Sequence, residues 1–431
     1  MSFAEHLQEV RTGFERPFWI ANISEIFERL SYYAVFAALA RYLHESLAFP
    51  SNEAASLSGI FGGAVWVMAV FGGALADRIG FRRALSLAYF ILSCSYFLIG
   101  SISAPWLGAM RNVMPLGLFV GIILFLPALG VALVKPSVVG TTARASTENV
   151  RSVGYAIYYT MVNIGSTAGP FLAGWVHARM RAENVFLLAA LSVFLMFFMV
   201  LLLFKEPRRA GGETAPTIEQ VVRNLVTVLA NGRFVLFLLI FSGYWIVFWQ
   251  QYLILPIYVH DYVSGAANTE MILITDPLIV ILFTVTVNAL TRKIPSLRAI
   301  TLGTVITSLG WLCMWAHPSV LMAVLTLVFV ALGEITQSPR YYEYISRLAP
   351  AGQQGTYMGF AFLPIGIGSL IGGWFGGKLV HHFGEVTHQP GRIWLVVTAV
   401  GIVTAILLWI YDSAIQPSGR DSASAPAAKA A

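Results

Sequence analysis

The feature that most constrains this chain is a series of apolar runs along its whole length. A run of about 20 apolar residues forms a helix long enough to cross a lipid bilayer. We recognise twelve, near residues 17–45, 53–76, 83–103, 113–141, 153–178, 183–204, 234–261, 271–291, 297–316, 319–347, 353–381 and 391–412. Only 11% of the residues are charged, against about 25% in soluble proteins, which excludes a soluble fold. The sequence predicts an all-α membrane protein with twelve transmembrane helices.

The connections between these runs are mostly short, and the longest interior one divides the chain. Residues 205–233 form a linker rich in Pro, Gly, Arg and Glu, in which Ile218–Leu229 is expected to form a short helix along the membrane surface. The predicted domains are an N-terminal six-helix bundle (1–204) and a C-terminal six-helix bundle (234–413). A Ser/Ala/Pro-rich tail (414–431) is expected to be disordered and cytoplasmic.

The distribution of basic residues predicts the orientation. Eighteen Lys and Arg fall in segments on the side of the two termini, and six fall on the opposite side. Because loops rich in Lys and Arg stay in the cytoplasm, both termini are expected to be cytoplasmic, in a multi-pass protein of the cell inner (plasma) membrane. The basic residues are dispersed over loops, which argues against nucleic-acid binding. Cys94 and Cys313 lie inside apolar runs, so no metal site, cofactor or disulfide framework is expected.

Charged residues inside the spans predict a transporter. A charge at the bilayer centre costs about 2.5–3.5 kcal/mol, so such residues usually face an aqueous cavity and pair with one another. In the first span, Glu25 and Glu28 share a helix face beside Arg29. One guanidinium cannot neutralise two carboxylates, so the surplus carboxylate is a candidate proton acceptor, and Lys135 in the fourth span is its candidate partner. The alternative is a static salt-bridge cluster.

Three ionisable residues of the second half are further candidates. Glu334 lies in the tenth span before Pro339 and is predicted to face a cavity and bind a cationic group, unless its role is structural. Asp276 precedes Pro277, which removes a backbone donor, so Asp276 either takes part in transport or caps freed N–H groups. Arg340 lies three residues before Glu343, so Arg340 either contributes to the site or simply pairs with Glu343.

The loop between the second and third spans has a recognisable pattern. Residues 72–83 read Gly-Gly-Ala-Leu-Ala-Asp-Arg-Ile-Gly-Phe-Arg-Arg, which resembles the loop signature of the major facilitator superfamily. The resemblance implies two six-helix bundles that rock about a central site. It also implies that Asp77, Arg78 and Arg82 act in conformational gating, by holding the inward-closed state. The alternative is that these charges only anchor the loop in the cytoplasm.

A second resemblance begins in the first span and extends over both halves. Residues 25–33 read Glu-Ile-Phe-Glu-Arg-Leu-Ser-Tyr-Tyr, which resembles the ExxERFxYY motif of the proton-coupled oligopeptide transporters. Lys135-Pro136, the segment 158–166 and the segment 334–339 resemble further motifs of that family, in order along the chain. The resemblance implies proton-driven peptide uptake. It implies proton coupling by Glu25, Glu28, Arg29 and Lys135, and a substrate pocket that includes Tyr32, Tyr33, Asn163 and Glu334.

The sequence departs from this family at four positions. Phe36 replaces an arginine that helps to hold the substrate carboxylate, and Trp249 replaces a protonatable glutamate of the seventh span. Asp276 stands where the family has asparagine, and Arg340 is additional. An arginine is thus lost from the first half and gained in the second, and a carboxylate is lost from the seventh span and gained in the eighth. We expect proton coupling to survive, with Asp276 added to it, and Phe36, Trp66, Trp249 and Arg340 to contact substrate. For each aromatic residue alone, helix packing is an equally good explanation.

Together these features predict a proton-coupled symporter. It would import small peptides or peptide-like organic solutes by alternating access, as a monomer whose partners are a small-molecule substrate, protons and membrane lipid. The alternative is a proton-antiport exporter of drugs or metabolites, favoured by the loss of the carboxylate-binding arginine and by the aromatic residues. A transport-inactive receptor is a third interpretation. An enzyme is not expected, because the sequence shows no nucleophile–base pair, metal-ligand cluster or phosphate-binding loop.

Overall fold

The structure is a computed structural model that describes residues 12–207, 218–349 and 354–415. These residues are almost entirely helical, and no strand is assigned among them; the one β-bridge joins Phe14 to Ser146. The tail beyond residue 415, predicted to be disordered, lies outside the described ranges. An all-α fold is therefore confirmed for the part of the chain that the structure describes.

Six long helices form the first half of the chain. They are α1 (Arg16–Arg41), α2 (Ser51–Ile79), α3 (Phe81–Gly100), α4 (Leu116–Arg144), α5 (Arg151–His177) and α6 (Glu183–Leu203). A short helix, α7 (Ile218–Leu229), follows in the linker where the sequence predicts one. A π-helical turn, Tyr42–Ser46, extends α1.

Six further helices form the second half. They are α8 (Gly232–Phe248), α9 (Thr275–Thr291), α10 (Ser296–Gly310), α11 (Val320–Leu348), α12 (Leu363–Leu379) and α13 (Arg392–Ile415). Shorter helical segments extend them: Gln250–Leu253 and Leu255–Tyr262 follow α8, Thr269–Leu273 precedes α9, Leu312–Ala316 follows α10, Gln354–Phe360 precedes α12, and the π-helical Val380–Val386 follows α12.

Within the described ranges, ten helical segments are long and apolar enough to cross a membrane. They are Ser51–Gly72, Phe81–Gly100, Leu116–Arg144, Glu183–Leu203, Gly232–Leu253, Thr269–Thr291, Ser296–Ala316, Val320–Leu348, Tyr357–Val386 and Arg392–Ala414. The protein is thus a multi-pass membrane protein. The two other predicted spans correspond to α1 and α5, which have 26 and 27 residues and carry polar groups in their middle.

The two sets of six helices each pack mainly among themselves. In the first, α1 contacts α5 and α6, α2 contacts α4, and α3 contacts α4 and α6; in the second, α10 contacts α11 and α13, α9 contacts α11, and α8 contacts α12 and α13. The most extensive contact between the sets is that of α2 with α12. We call this contact the α2–α12 seam.

Glycines bring the two backbones of the α2–α12 seam into direct contact. A Cβ atom added to Gly373 would lie 2.5 Å from the carbonyl oxygen of Ala55, and one added to Gly59 would lie 2.7 Å from that of Ser369. The Ser369 hydroxyl donates a hydrogen bond of 3.2 Å to the Gly59 carbonyl. Small residues allow this close approach, which holds the two halves together.

Candidate functional site

A cavity of about 460 Å³ lies between the two sets of helices. This volume is in the range of small-molecule binding sites. Its walls come from α1, α2, α4, α5, α8, α9, α11 and α12, together with the segment after α8. The wall therefore includes residues from both halves of the chain, as a central transport site would require.

Seven of the residues predicted from the sequence line this cavity. They are Tyr33, Trp66, Lys135, Asn163, Trp249, Asp276 and Glu334. They come from seven different segments, so the fold brings together residues that lie far apart in the sequence. Their assignment to substrate binding or proton coupling stays a prediction.

Three other predicted substrate contacts lie outside the lining. Tyr32 is fully buried and stacks on Phe61, with ring centres 5.6 Å apart. Phe36 is also fully buried and stacks on Tyr252 at 5.0 Å, so it supports the cavity wall from behind. The guanidinium of Arg340 forms a 2.9 Å ion pair with Glu343 and donates to the backbone carbonyl of Thr291.

Four polar lining residues of α9 and α11 were not predicted from the sequence: Thr284, Asn288, Ser338 and Tyr342. On α9, Asp276, Val280, Thr284 and Asn288 follow one another at intervals of four residues, and all four line the cavity. On α11 the same interval joins Glu334, Ser338 and Tyr342. Residues four apart share a helix face, so extending the pattern from each acidic residue would have found them.

Glu25, Glu28 and Arg29 form the charged group of α1. All three are buried, and the two carboxylates share the one guanidinium unequally. The Arg29 guanidinium donates two hydrogen bonds to Glu28, of 2.5 and 2.8 Å, and lies 3.5 Å from the nearest Glu25 oxygen. Neither Glu25 oxygen accepts a hydrogen bond from any described residue. The bidentate geometry is the strongest that arginine offers to a carboxylate. Glu28 is thereby neutralised, and Glu25 is the carboxylate left without a hydrogen-bond partner; the sequence did not indicate which of the two it would be.

Close helix packing fixes the position of Arg29. A Cβ atom added to Gly165 of α5 would lie 2.6 Å from the Arg29 Cβ and 2.6 Å from the backbone oxygen of Ile26. Only a residue without a side chain fits at this contact. The glycine of the segment 158–166 therefore has a physical role, which is to seat α1 against α5 at the charged turn.

Lys135 connects the charged group of α1 to the cavity. Its ammonium lies 4.0 Å from the centre of the Trp66 ring and 5.1 Å from that of Phe362. No carboxylate of the described residues lies within 4.0 Å of it, but Glu25 and Glu28 are close enough for electrostatic attraction. The amine is thus held by ring faces at the cavity wall and can respond to charge on either side.

The two acids of the second half face the cavity without a cation. Asp276 is only 5% exposed, and its Oδ1 atom has no hydrogen-bond partner among the described residues. Glu334 is half-buried and close enough to Asp276 for the two charges to repel each other. No described Lys, Arg or His lies within ion-pair distance of either acid. A positive ligand or a proton would relieve this repulsion.

The predicted gating residues lie where α2 ends and α3 begins. Arg78 and Arg82 are exposed, and the Arg82 guanidinium donates a 2.7 Å hydrogen bond to the Leu201 carbonyl of α6. The side chain of Asp77 is outside the described part of the structure. Glu206 accepts the backbone N–H groups of Phe81 and Arg82 at 2.8 and 2.7 Å, which caps α3.

Ion pairs between the two halves close the opposite face, where α1 ends. Arg41 pairs with Glu45 and lies 3.6 Å from Glu270, which precedes α9. His44 lies 3.2 Å from Asp261. These side chains bridge the first and second halves beyond the end of the α2–α12 seam, so the two halves are joined on this face.

The Major Facilitator Superfamily profile matches residues 22–275 and 265–430. Among curated relatives, the multidrug resistance protein MdtH of Enterobacter sp. (strain 638) is 23% identical over 350 residues, which cover 79% of this chain and 81% of the relative. MdtH of Citrobacter koseri is 23% identical over 361 residues, covering 82% and 83% of the two chains.

Solved structures resemble the chain over almost its whole length. A POT family transporter in complex with 5-aminolevulinic acid superposes with a TM-score of 0.77 at 17% identity, covering 95% of this chain and 100% of that one. The POT family transporter PepTSo gives a TM-score of 0.73 at 19% identity, covering 93% and 98%. The nucleoside transporter NupG gives 0.73 at 12% identity, covering 92% and 99%.

At these identities the structural likeness establishes the fold, and the profile establishes the family. The predicted resemblance to the oligopeptide transporters is confirmed at the level of the fold. The findings identify a transporter rather than an enzyme. This chain belongs to the Major Facilitator Superfamily.

Proposed function

We propose that this protein is a proton-coupled secondary transporter that works by alternating access. Its two halves, 1–204 and 234–413, would form twelve spans in the bacterial inner membrane, with both termini in the cytoplasm. The linker 205–233 would let them rock about the cavity, and the protein would work as a monomer. The mixture of charged and aromatic residues on the cavity wall supports a small organic solute as substrate.

The observation that carries proton coupling is the unequal pairing around Arg29. Because Glu28 takes both hydrogen bonds of the guanidinium, Glu25 is fully buried with no hydrogen bond and only a longer ion pair, of 3.5 Å, to the shared Arg29. Protonation of Glu25 removes its charge and also removes its attraction for Lys135, whose ammonium lines the cavity. Lys135 is then available to a negative group of the substrate, which links proton binding to substrate binding.

The leading candidate is import of small peptides or peptide-like solutes by proton symport. The motifs of the first half, the charges of opposite sign on the two sides of the cavity, and the fold shared with POT family transporters support it. The test is uptake into proteoliposomes. An inward proton gradient should drive accumulation of substrate, and collapsing the gradient with a protonophore should stop it. Uptake that ignores the gradient for every peptide and related solute would contradict symport.

Export of drugs or metabolites by proton antiport is the second candidate. The relatives named multidrug resistance proteins favour it, as does the fully buried Phe36 at the position where peptide transporters carry an arginine. The two candidates predict opposite directions of substrate movement under the same proton gradient. Under antiport an inward proton gradient drives substrate out of the compartment that the protons enter, and deletion of the gene increases drug sensitivity.

A further inference from the structure

The cavity wall carries unequal numbers of acidic and basic groups. Its ionisable residues, tyrosines aside, are Lys135 from α4, Asp276 from α9 and Glu334 from α11. With all three ionised, one positive and two negative charges leave the wall with a net charge of −1. The positive group belongs to the first half of the chain and both negative groups belong to the second.

Asp276 and Glu334, the two cavity acids of the second half, have no positively charged partner among the described residues. Asp276 is more than nine-tenths buried, and its Oδ1 atom has no hydrogen-bond partner among the described residues. Its polar neighbour is the amide of Gln251, which carries no charge. A buried acid that lacks a charged partner costs free energy, whereas a bound cation would satisfy it. Glu334 is close enough to Asp276 for electrostatic interaction, and it adds repulsion rather than compensation.

The side chains beside these acids are aromatic. The rings of Trp245 and Trp249 have centres 5.9 Å apart, and that of Tyr252 lies 5.8 Å from Trp249. All three line the cavity, and Tyr252 is close enough to both acids for electrostatic interaction. The negative faces of such rings attract organic cations, most strongly at desolvated sites. The rings also offer apolar area to a hydrophobic body.

The opposite side of the cavity offers a carboxylate a single cation. Its one cation, Lys135, lies against the rings of Trp66 and Phe362. Phe36 is a buried hydrocarbon packed behind Trp249 and Tyr252. A zwitterion brings equal charges of both signs and leaves the wall at −1. A solute with one net positive charge brings the occupied cavity to neutrality.

We propose that Asp276 and Glu334 form one anionic subsite for the positively charged group of the substrate, and that Asp276 makes the transporter select organic cations over zwitterions. The ligand is a solute of net charge +1 with an aromatic or aliphatic body that packs on Trp245 and Trp249. This inference rests on the proposed function and narrows its substrate class to solutes of net charge +1, which include peptides with a cationic side chain but not ordinary zwitterionic peptides. It holds for import and export alike.

Two matched probes test this selection on the purified full-length protein. Phenethyltrimethylammonium carries a permanent positive charge, and N,N,N-trimethylphenylalanine is the same molecule with one added carboxylate. Binding is followed by isothermal titration and by quenching of tryptophan fluorescence. We expect the cation to bind about tenfold more tightly than the zwitterion, as expected when one charged contact differs between them. Equal affinities, or tighter binding of the zwitterion, would overturn the proposal.

Variants assign the preference to the two acids. Asp276→Asn and Glu334→Gln should each weaken binding of the cation about tenfold and leave binding of the zwitterion unchanged or tighter. The matched control is Glu343→Gln, because Glu343 is on the same helix as Glu334 but pairs with Arg340 outside the cavity. Thermal unfolding identifies any variant that fails to fold. Unchanged cation affinity in either folded acid variant contradicts the subsite.

Transport measurements separate this inference from the proposed function. If proton-driven flux is present but zwitterions are preferred, the cation subsite fails and the transport proposal stands. If the cation probe binds through Asp276 and Glu334 but no flux follows a proton gradient in either direction, the transport proposal fails and the subsite stands.

Discussion

The ammonium of Lys135 lies 4.0 Å from the centre of the Trp66 ring, at the wall of the cavity. A desolvated cation–π contact of this kind contributes about 2 kcal/mol. The ring holds the amine in place without neutralising its charge, as a carboxylate within ion-pair distance would. The amine therefore remains responsive both to Glu25 behind it and to an anion in front of it, and this property is the basis of the first prediction.

Replacement of Lys135 by glutamine should uncouple transport from protons. The variant keeps a polar side chain but loses the charge that links Glu25 to the cavity, so gradient-driven flux should fall at least about tenfold. Exchange of substrate without a gradient should persist. The matched control is Lys378→Gln, because Lys378 lies 4.1 Å from the ring of the exposed Trp374, away from the cavity. Equal losses in both variants would contradict a specific role for Lys135.

Glu25 and Glu28 should respond differently to substitution by glutamine. Glu25→Gln removes an acid that has no hydrogen-bond partner, so the unfolding temperature should hold or rise while gradient-driven flux is lost. Glu28→Gln breaks a buried bidentate pair, which costs about 3 kcal/mol, and should lower the unfolding temperature. Thermal unfolding and flux are measured on the same preparations. A larger thermal effect for Glu25→Gln would overturn this division of roles.

A side chain at Gly373 should force the α2–α12 seam apart. In Gly373→Leu even the first added carbon would lie 2.5 Å from the Ala55 backbone oxygen, so the seam cannot close fully. With Cys94 and Cys313 replaced by serine, a cysteine at the buried Ser51 should react faster with a polar maleimide in this variant. The control is Gly359→Leu, since a Cβ atom there meets nothing within 4 Å. Equal labelling in the two variants would show that the seam does not control access.

Low pH should stabilise the closed face of the protein, where Arg41 and His44 pair with residues of the second half. His44 and Asp261 lie beyond the ends of helix α1 (Arg16–Arg41) and of the segment Gly232–Leu253, and the hydrogen bond that His44 donates to Asp261 raises the pKa of His44 above its ordinary value of 6.5. Stabilisation by a group with a raised pKa is complete below the ordinary value and disappears as pH rises through the raised one. Labelling of the cysteine at Ser51 should therefore increase above about pH 6.5.

The histidine itself is tested by substitution. In His44→Gln the pH dependence of labelling should flatten, because the histidine of the turn Tyr42–Ser46 then no longer pairs with Asp261. A second histidine, His260, lies 2.8 Å from Asp261 and 3.5 Å from Glu45. It remains in the His44→Gln variant, so any pH dependence that survives is assigned to it. A pH profile unchanged by His44→Gln would assign the effect to another group.

The fold could be predicted from the sequence because the bilayer limits the possible structures. Long apolar runs in a membrane must be helical, and charges within them are rare enough to indicate a site. The position of Lys135 at the cavity follows from that reasoning. The helix Ile218–Leu229 was also predicted at its observed bounds.

Which of the predicted residues reach the cavity depends on how the helices face one another. A single sequence does not specify that. Phe36 and Tyr33 are three residues apart, yet only Tyr33 reaches the cavity, because Tyr252 and Trp249 cover Phe36. Arg340 pairs with Glu343 on its own helix, as the spacing allowed, and also donates a hydrogen bond to the Thr291 carbonyl of α9. The ion pair of His44 with Asp261 joins distant segments that carry no mutual signal in the sequence.

The two rings around Lys135 belong to the two sides of the α2–α12 seam, Trp66 to α2 and Phe362 to the segment that leads into α12. Under the proposed alternating access these two helices would separate. One ring would then leave the amine, and the amine would gain affinity for anions without any change in its own protonation. Lys135 would thus act as a position sensor, converting a movement of whole helices into a change of binding strength at the cavity.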